Sequence, residues 1–330
     1  MYGKKIMFEE LGLIGNVILL IVSLVALYKA SNITISHSIK VADVTGLGKT
    51  TVGFVLIALS TSLPELFVVV FSVLKPENVG ISIGNILGSN ITNICLTLGI
   101  CFFIIALKYP ELESFIPHMA KQAMGDLYFG LFIASIIPLA LLFVGSASFL
   151  IGLALLGVFF YNLYQLSKIR NVKEEGALGS EKQRLRKYIF LTIAGASGVV
   201  VTSYFLVETA SYIALSVGIP KLIIGATIVA LGTSLPELVT SIDSIRKGHA
   251  DLALVINIGS CFINITLILG LALIVTPFRV DMAAFSDLIV FSLITNLILW
   301  YFLSSEKIGR REGIVLLFLY SLFLAISFAG

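Results

Sequence analysis

Charge is what this chain has least of. Only 12% of its 330 residues are Asp, Glu, Lys or Arg, while 58% are hydrophobic and the mean hydropathy is +1.05. Soluble domains carry about 25% charge and about 45–50% apolar residues, so the balance excludes a soluble globular protein. It identifies an all-α polytopic membrane protein with the lipid bilayer as its surroundings. The net charge of +3 is too small to point to nucleic acid. There are three cysteines, Cys95, Cys101 and Cys261, all in apolar stretches and without metal-ligand spacing. They read as small buried hydrophobes. Polar sequence is also scarce, since the one long polar stretch is 167–187, "SKIRNVKEEGALGSEKQRLRK".

Apolar runs long enough to cross about 30 Å of hydrocarbon fall near 11–31, 46–74, 80–107, 125–145, 147–166, 188–217, 221–245, 251–277, 284–304 and 312–329. The first is too long for the core of a signal peptide and lacks a small-x-small cleavage site, so it counts as a span. The ten runs divide into two sets of five, 1–166 and 188–330, on either side of the 167–187 loop. Lys and Arg set the orientation. With the 167–187 loop in the cytoplasm, 17 of the 22 basic residues lie on that side, including Lys29, Lys40 and Lys49 after the first run. Both termini then face out, as expected for a multi-pass protein of the cell (plasma) membrane.

Five spans per half is an odd number, so any repeat between the halves must be inverted. A repeat is present. "GFVLIALSTSLPELF" (53–67) matches "GATIVALGTSLPELV" (225–239), and "GSNITNICLTLG" (88–99) matches "GSCFINITLILG" (259–270). Inverted repeats whose broken helices meet near the midplane are a common plan of secondary transporters.

Each first motif sets a carboxylate, Glu65 or Glu237, behind Ser-Leu-Pro in the middle of a span. A charge at the bilayer centre costs roughly 2.5–3.5 kcal/mol on insertion scales. Ser-Leu-Pro-Glu also makes a sound helix start, with Ser62 or Ser234 as N-cap and the glutamate closing a capping box. Inside a span the consequence differs. Proline lacks an N–H, and its ring clashes with the carbonyl four residues back, at Ser60 and Gly232. The expected break exposes carbonyls near Ala58–Thr61 and Ala230–Thr233, beside threonine hydroxyls and a carboxylate. An all-oxygen set of this kind suits Ca²⁺ or Na⁺ and not a soft metal. The second motifs add Ser89 with Asn93 and Ser260 with Asn264, each pair four residues apart and so on one helix face. Small residues and amides also glue membrane helices together, but repetition at matched distance from each glutamate favours a binding role.

These doubled G-T-S-L-P-E and G-S-x-x-x-N motifs, over ten spans, resemble the sodium/calcium exchanger branch of the calcium/cation antiporter superfamily, in a prokaryotic-size member. The resemblance implies alternating access, with spans 1 and 6 sliding against spans 2, 3, 7 and 8. It implies that Glu65 and Glu237 both hold Ca²⁺. Ala58, Thr61, Ser89 and Glu65 would form an inner Na⁺ site, and Ala230, Thr233, Ser260 and Glu237 an outer one. Asn93 and Asn264 would close the middle, with Ser62 and Ser234 alongside. No cofactor is expected beyond the transported Ca²⁺ and Na⁺ (or H⁺), and a monomer is expected to suffice.

The chain departs from the pattern at Ser60, where a glycine is usual. It departs again at Val255-Ile256, which stand where the first half has Gly84-Asn85. With asparagine at 264, only two carboxylates remain, enough to match one Ca²⁺ or two protons. The leading expectation is therefore Ca²⁺ export in exchange for Na⁺, with H⁺/Ca²⁺ antiport on the same fold as the runner-up and a cation channel as the alternative outside it. An enzyme is not expected, because no nucleophile–base pair or metal motif is present. Asp243, six residues beyond Glu237, falls about 240° round the helix and off the site face, beside Arg246. Asp43, His37, His118 and His249 read as solvated. No long soluble insertion is present, so no regulatory calcium-binding domain is expected.

Overall fold

The computed structural model describes residues 2–44, 59–108, 129, 131–133, 135, 136, 139, 149–168, 184–246, 250–275, 282–304 and 309–329. Every regular element among them is helical. Helix α1 is Tyr2–Val44, α2 Leu63–Val73, α3 Val79–Ile91, α4 Gly99–Lys108, α5 Phe149–Lys168 and α6 Leu185–Val217. After them come α7 Lys221–Ile224, α8 Ala230–Thr233, α9 Leu235–Arg246 and α10 Ala250–Ile263. The last are α11 Leu269–Val275, α12 Met282–Ser304 and α13 Arg310–Ala329. Stretches of π-helix, Thr92–Leu98, Gly225–Val229 and Asn264–Ile268, join α3 to α4, α7 to α8 and α10 to α11.

Seven of the ten apolar runs coincide with helices long and apolar enough to cross a membrane. The runs at 46–74 and 147–166 are represented by shorter apolar helices, Leu63–Val73 and Phe149–Gln165. Most of the run at 125–145 lies outside the described residues, as do Lys49, Lys121, His118, His249 and most of the 167–187 loop. Lys29 and Lys40 were expected in a loop, but both lie on α1, which runs on to Val44. The reason is that the polar stretch after residue 31 lacks a helix breaker among the described residues. Near its start α1 does bend, at Gly12 (φ 62°, ψ −174°), a left-handed value glycine adopts without steric cost.

Two apolar cores organise the bundle. Side chains of α1 and α6 (Leu27, Val199, Leu206, Val207) pack with Val68 of α2 and with Ile81 and Ile224. The larger core joins α3–α5 with α9–α13. The outer faces of α1 and α6 expose Ile14, Ile18, Val25, Phe190, Ile193 and Leu215, each at least half exposed, as a lipid-facing surface requires. This is a multi-pass membrane protein.

Where helices cross most closely, glycine makes the approach possible. A Cβ on Gly84 would stand 2.1 Å from the Leu222 carbonyl oxygen, and one on Gly88 2.1 Å from that of Ala226. Thus α3 lies backbone to backbone against the 221–229 stretch, a small-residue contact of the membrane type. The matched terminal glycines of the second motifs make matched contacts too. Gly99 meets Gly313 of α13, and Gly270 meets Gly152 of α5.

Candidate functional site

The two proline motifs interrupt their helices at the same place. Ser62 (φ −84°, ψ 7°) separates the turn before it from α2, and Ser234 (φ −85°, ψ 0°) separates α8 from α9. The helical hydrogen bonds resume at once, from the Leu66 and Leu238 amides to the Ser62 and Ser234 carbonyls, both 3.1 Å. The break is confined to one residue.

The expected capping box does not form. Ser62 makes no side-chain cap, and its hydroxyl donates instead to Ser260 Oγ at 3.3 Å. The Ser234 hydroxyl has no hydrogen-bond partner. In the protein interior, the cross-helix oxygens compete with the helix end for these hydroxyls. The Ala230 carbonyl, expected to be left open by the break, accepts the Ser234 amide (3.0 Å) and is one of two acceptors within reach of the Thr233 hydroxyl, at 3.2 Å. Ala58 lies outside the described residues.

The other singled-out residues converge. Thr61, Ser62, Glu65, Ser89, Asn93, Ala230, Thr233, Ser234, Glu237, Ser260 and Asn264 are all buried, with none more than 2% exposed. The helices cross so that hydroxyls of one half meet those of the other. Thr61 Oγ1 lies 3.0 Å from Ser260 Oγ, and Ser89 Oγ lies 3.2 Å from Thr233 Oγ1. The hydroxyl-to-hydroxyl pairs run between halves, because α3 packs on the 221–229 stretch and so brings Ser89 to Thr233, while Ser260 also reaches Glu237 of its own half.

The two acids differ in their surroundings. Glu237 Oε1 accepts a hydrogen bond from Ser260 at 3.1 Å, while its Oε2 has none. Glu65 has no hydrogen-bond partner on either oxygen. Thr233 and Ser89 lie beside it, but the Thr233 hydroxyl donates to Asn85 Oδ1 at 3.0 Å. Three acceptor oxygens of two carboxylates are therefore buried without a well-formed hydrogen bond, with the hydroxyls of Ser89, Thr233 and Thr61 beside them. Such groups are costly unless a cation or proton meets them. Among the described residues no cluster of three or more His, Cys, Asp or Glu is present.

Asn264 donates to Asn90 Oδ1 at 3.3 Å, and both Asn93 side-chain atoms lack partners. Asn93 and Asn264 fall within or at the start of π-helical turns, which often mark functional sites in helices. Asn85 and Asn90 were missed as site residues. The available signal was an amide set in an apolar run. Asp243 does lie beside Arg246 on an exposed face, at 3.7 Å.

The sodium/calcium exchanger protein family matches residues 15–167 and 187–329. The chain belongs to that family. Among curated relatives, this exchanger-family chain is 29% identical to the sodium/calcium exchanger MaX1 of Methanosarcina acetivorans, over 95% of this chain and 98% of that one. Among solved structures it is similar to the sodium-calcium exchanger NCX_Mj soaked with Na⁺ and Sr²⁺. That likeness has a TM-score of 0.68 at 26% identity, covering 95% and 99% of the two chains. The H⁺/Ca²⁺ exchanger CAX shares the fold, with a TM-score of 0.76 at 18% identity over 95% and 87%.

Proposed function

We propose that this chain is a secondary antiporter that exports Ca²⁺ in exchange for Na⁺ by alternating access. The observation that carries the reading is the pair of fully buried glutamates from the two halves, with three of their four oxygens unpartnered amid hydroxyls. One Ca²⁺ between Glu65 and Glu237 balances both charges. One Na⁺ per half would find a carboxylate with threonine and serine hydroxyls, which a proton does not need. Residues 1–166 and 188–330 form two inverted five-helix repeats, ten spans in all, joined by a cytoplasmic loop, with both termini outside. The matched contacts of Gly99 with Gly313 and of Gly270 with Gly152 support the repeat. The exchange described for MaX1 and NCX_Mj by name supports the ions.

Exchange then follows from charge balance. Without a cation the site holds two uncompensated carboxylates, so it crosses between facing states when loaded by Ca²⁺ or by monovalent cations. The one-residue breaks at Ser62 and Ser234 lie beside the hydroxyl pairs where the helices cross. The test is Ca²⁺ uptake into proteoliposomes preloaded with Na⁺, at equal clamped pH on both sides. An outward Na⁺ gradient should drive uptake. Uptake that ignores Na⁺ and follows an imposed pH gradient would assign the chain to H⁺/Ca²⁺ antiport, and flux without counter-ion dependence would assign it to a channel.

A further inference from the structure

We infer that Asn85 is a positioning residue that fixes the direction of the Thr233 hydroxyl and thereby makes the two halves of the site inequivalent. The inference deepens the antiporter reading and rests on it for the identity of the ions. Asn85 stands four residues before Ser89, on the same face of α3, and is fully buried. Its Oδ1 accepts the Thr233 hydroxyl at 3.0 Å, while Ser89 Oγ lies 3.2 Å from the same hydroxyl. The hydroxyl has a second acceptor in reach, the Ala230 carbonyl at 3.2 Å; with its one proton drawn to the nearer Asn85, the Thr233 oxygen keeps its lone pairs for Ser89 and for a cation beside Glu65.

The internal repeat supplies the comparison. The residue four before Ser260 is Ile256, which offers no acceptor, and there Thr61 Oγ1 pairs with Ser260 Oγ directly at 3.0 Å. The second half carries its asparagine one position later. Asn257 donates to Ser241 Oγ at 2.7 Å, stapling α10 to α9, whereas the matched first-half residues, Ile86 and Val69, are apolar and buried. Packing alone does not account for Asn85. Its Nδ2 is buried without a partner, which is unfavourable, and the matched position is filled by an isoleucine at no such cost. What remains is the bond to Thr233.

A residue acting through Thr233 predicts non-additivity. The cycle is Asn85→Leu, Thr233→Val and the double variant, read as the NaCl concentration giving half-maximal thermal stabilisation of the purified protein against matched choline chloride. Asn85→Leu should raise that concentration roughly three- to tenfold, the range one net hydrogen bond spans. Thr233→Val should raise it at least as much, and the double variant should match Thr233→Val alone. Thr61→Val combined with Asn85→Leu should be additive. Additive effects of Asn85→Leu and Thr233→Val, or wild-type Na⁺ dependence in Asn85→Leu, would overturn the inference. Should Asn85→Leu fail to fold, Asn85→Ser, which removes the amide and keeps a small polar side chain, replaces it in the cycle, and the same outcomes support or overturn the role of Asn85. Na⁺ stabilisation without Na⁺-driven Ca²⁺ uptake would sink the antiporter reading while the cycle still decides on Asn85. A wild type that does not respond to Na⁺ overturns both.

Discussion

Glu65→Gln is the sharpest perturbation, because it should separate stability from ion binding in opposite directions. Glu65 is buried with neither oxygen hydrogen-bonded to another residue. An unpaired buried charge costs several kcal/mol, while an unpaired neutral amide costs about 1–3 kcal/mol. Glutamine at 65 should therefore leave the apo protein as stable as the wild type or a few degrees higher in Tm. Binding moves the other way. Unit charges about 4 Å apart at an effective dielectric of about 20 attract by roughly 4 kcal/mol, and a divalent ion gains more, so losing one carboxylate should weaken Ca²⁺ by at least about a thousandfold. Wild-type protein at 100 times its dissociation constant gains about 2.7 kcal/mol from bound ion, and Glu65→Gln should gain nothing at the same Ca²⁺. Glu237→Gln should lose the ion response equally but lack the rise in apo Tm, since it gives up the charge-assisted bond from Ser260 at 3.1 Å. The assay is thermal unfolding in detergent with and without Ca²⁺, alongside uptake in proteoliposomes. A Glu65→Gln variant that is markedly less stable without ions, or that keeps its Ca²⁺ response, would refute the reasoning.

Thr61→Val should weaken the Na⁺ dependence of Ca²⁺ uptake more than Ca²⁺ binding, because it removes a neutral oxygen and no charge. Equal loss of both, measured by uptake at varied Na⁺ and by Ca²⁺ stabilisation, would count against separate monovalent half-sites. Gly88→Ala should cost about 1–3 kcal/mol by overpacking, since its Cβ would stand 2.1 Å from the Ala226 carbonyl oxygen; a Tm unchanged in detergent would show that α3 and the 221–229 stretch can separate freely. Lys75 pairs with Glu208 across α6, with Asn78 Oδ1 taking Ser211 (2.7 Å) and Lys221 (2.8 Å) nearby. Lys75→Met and Glu208→Gln should each lower Tm, with a coupling of about 1 kcal/mol in the double variant; strictly additive losses would mean the pair contributes nothing as a pair.

Much of the site was legible because the bilayer makes polar residues expensive. Glu65 and Glu237 could be picked out within apolar runs, and their Ser-Leu-Pro context gave the position of the break, found at Ser62 and Ser234. What the sequence did not convey was hydrogen-bond direction. A capping box and a cross-helix hydroxyl pair use the same serine, and only the packing of helices decides between them. Glycines at 84 and 88 set that packing, which is why Ser89 meets Thr233 of the other half. The π-helical turns at Thr92–Leu98, Gly225–Val229 and Asn264–Ile268 were also invisible, since one extra residue per turn leaves no pattern in an apolar run. The end of α1 was misjudged for a related reason. Polar residues such as Ser31, Asn32, Thr34 and Ser36 imply a loop when only hydropathy is read, yet Ser31 and Thr34 are buried and the helix continues.

The unequal treatment of the two acids bears on how such a site can work at all. A carboxylate whose hydrogen bonds are all satisfied by the protein has little to gain from a cation, and one left bare would bind a divalent ion too tightly to release it. Conduction and exchange need binding favourable enough to enter and weak enough to leave. Here Ser260 occupies one oxygen of Glu237, while Glu65 is bare and its neighbour Thr233 is engaged by Asn85. On the proposed reading, Glu65 supplies most of the drive to load and Glu237 moderates it through Ser260, which must give up its bond when a cation takes that oxygen. The sequence repeat makes the halves alike in their ligands. The departures from it, Asn85 against Ile256 and Asn257 against Ile86, are where a symmetric pair of half-sites can acquire different affinities without changing a single charged residue.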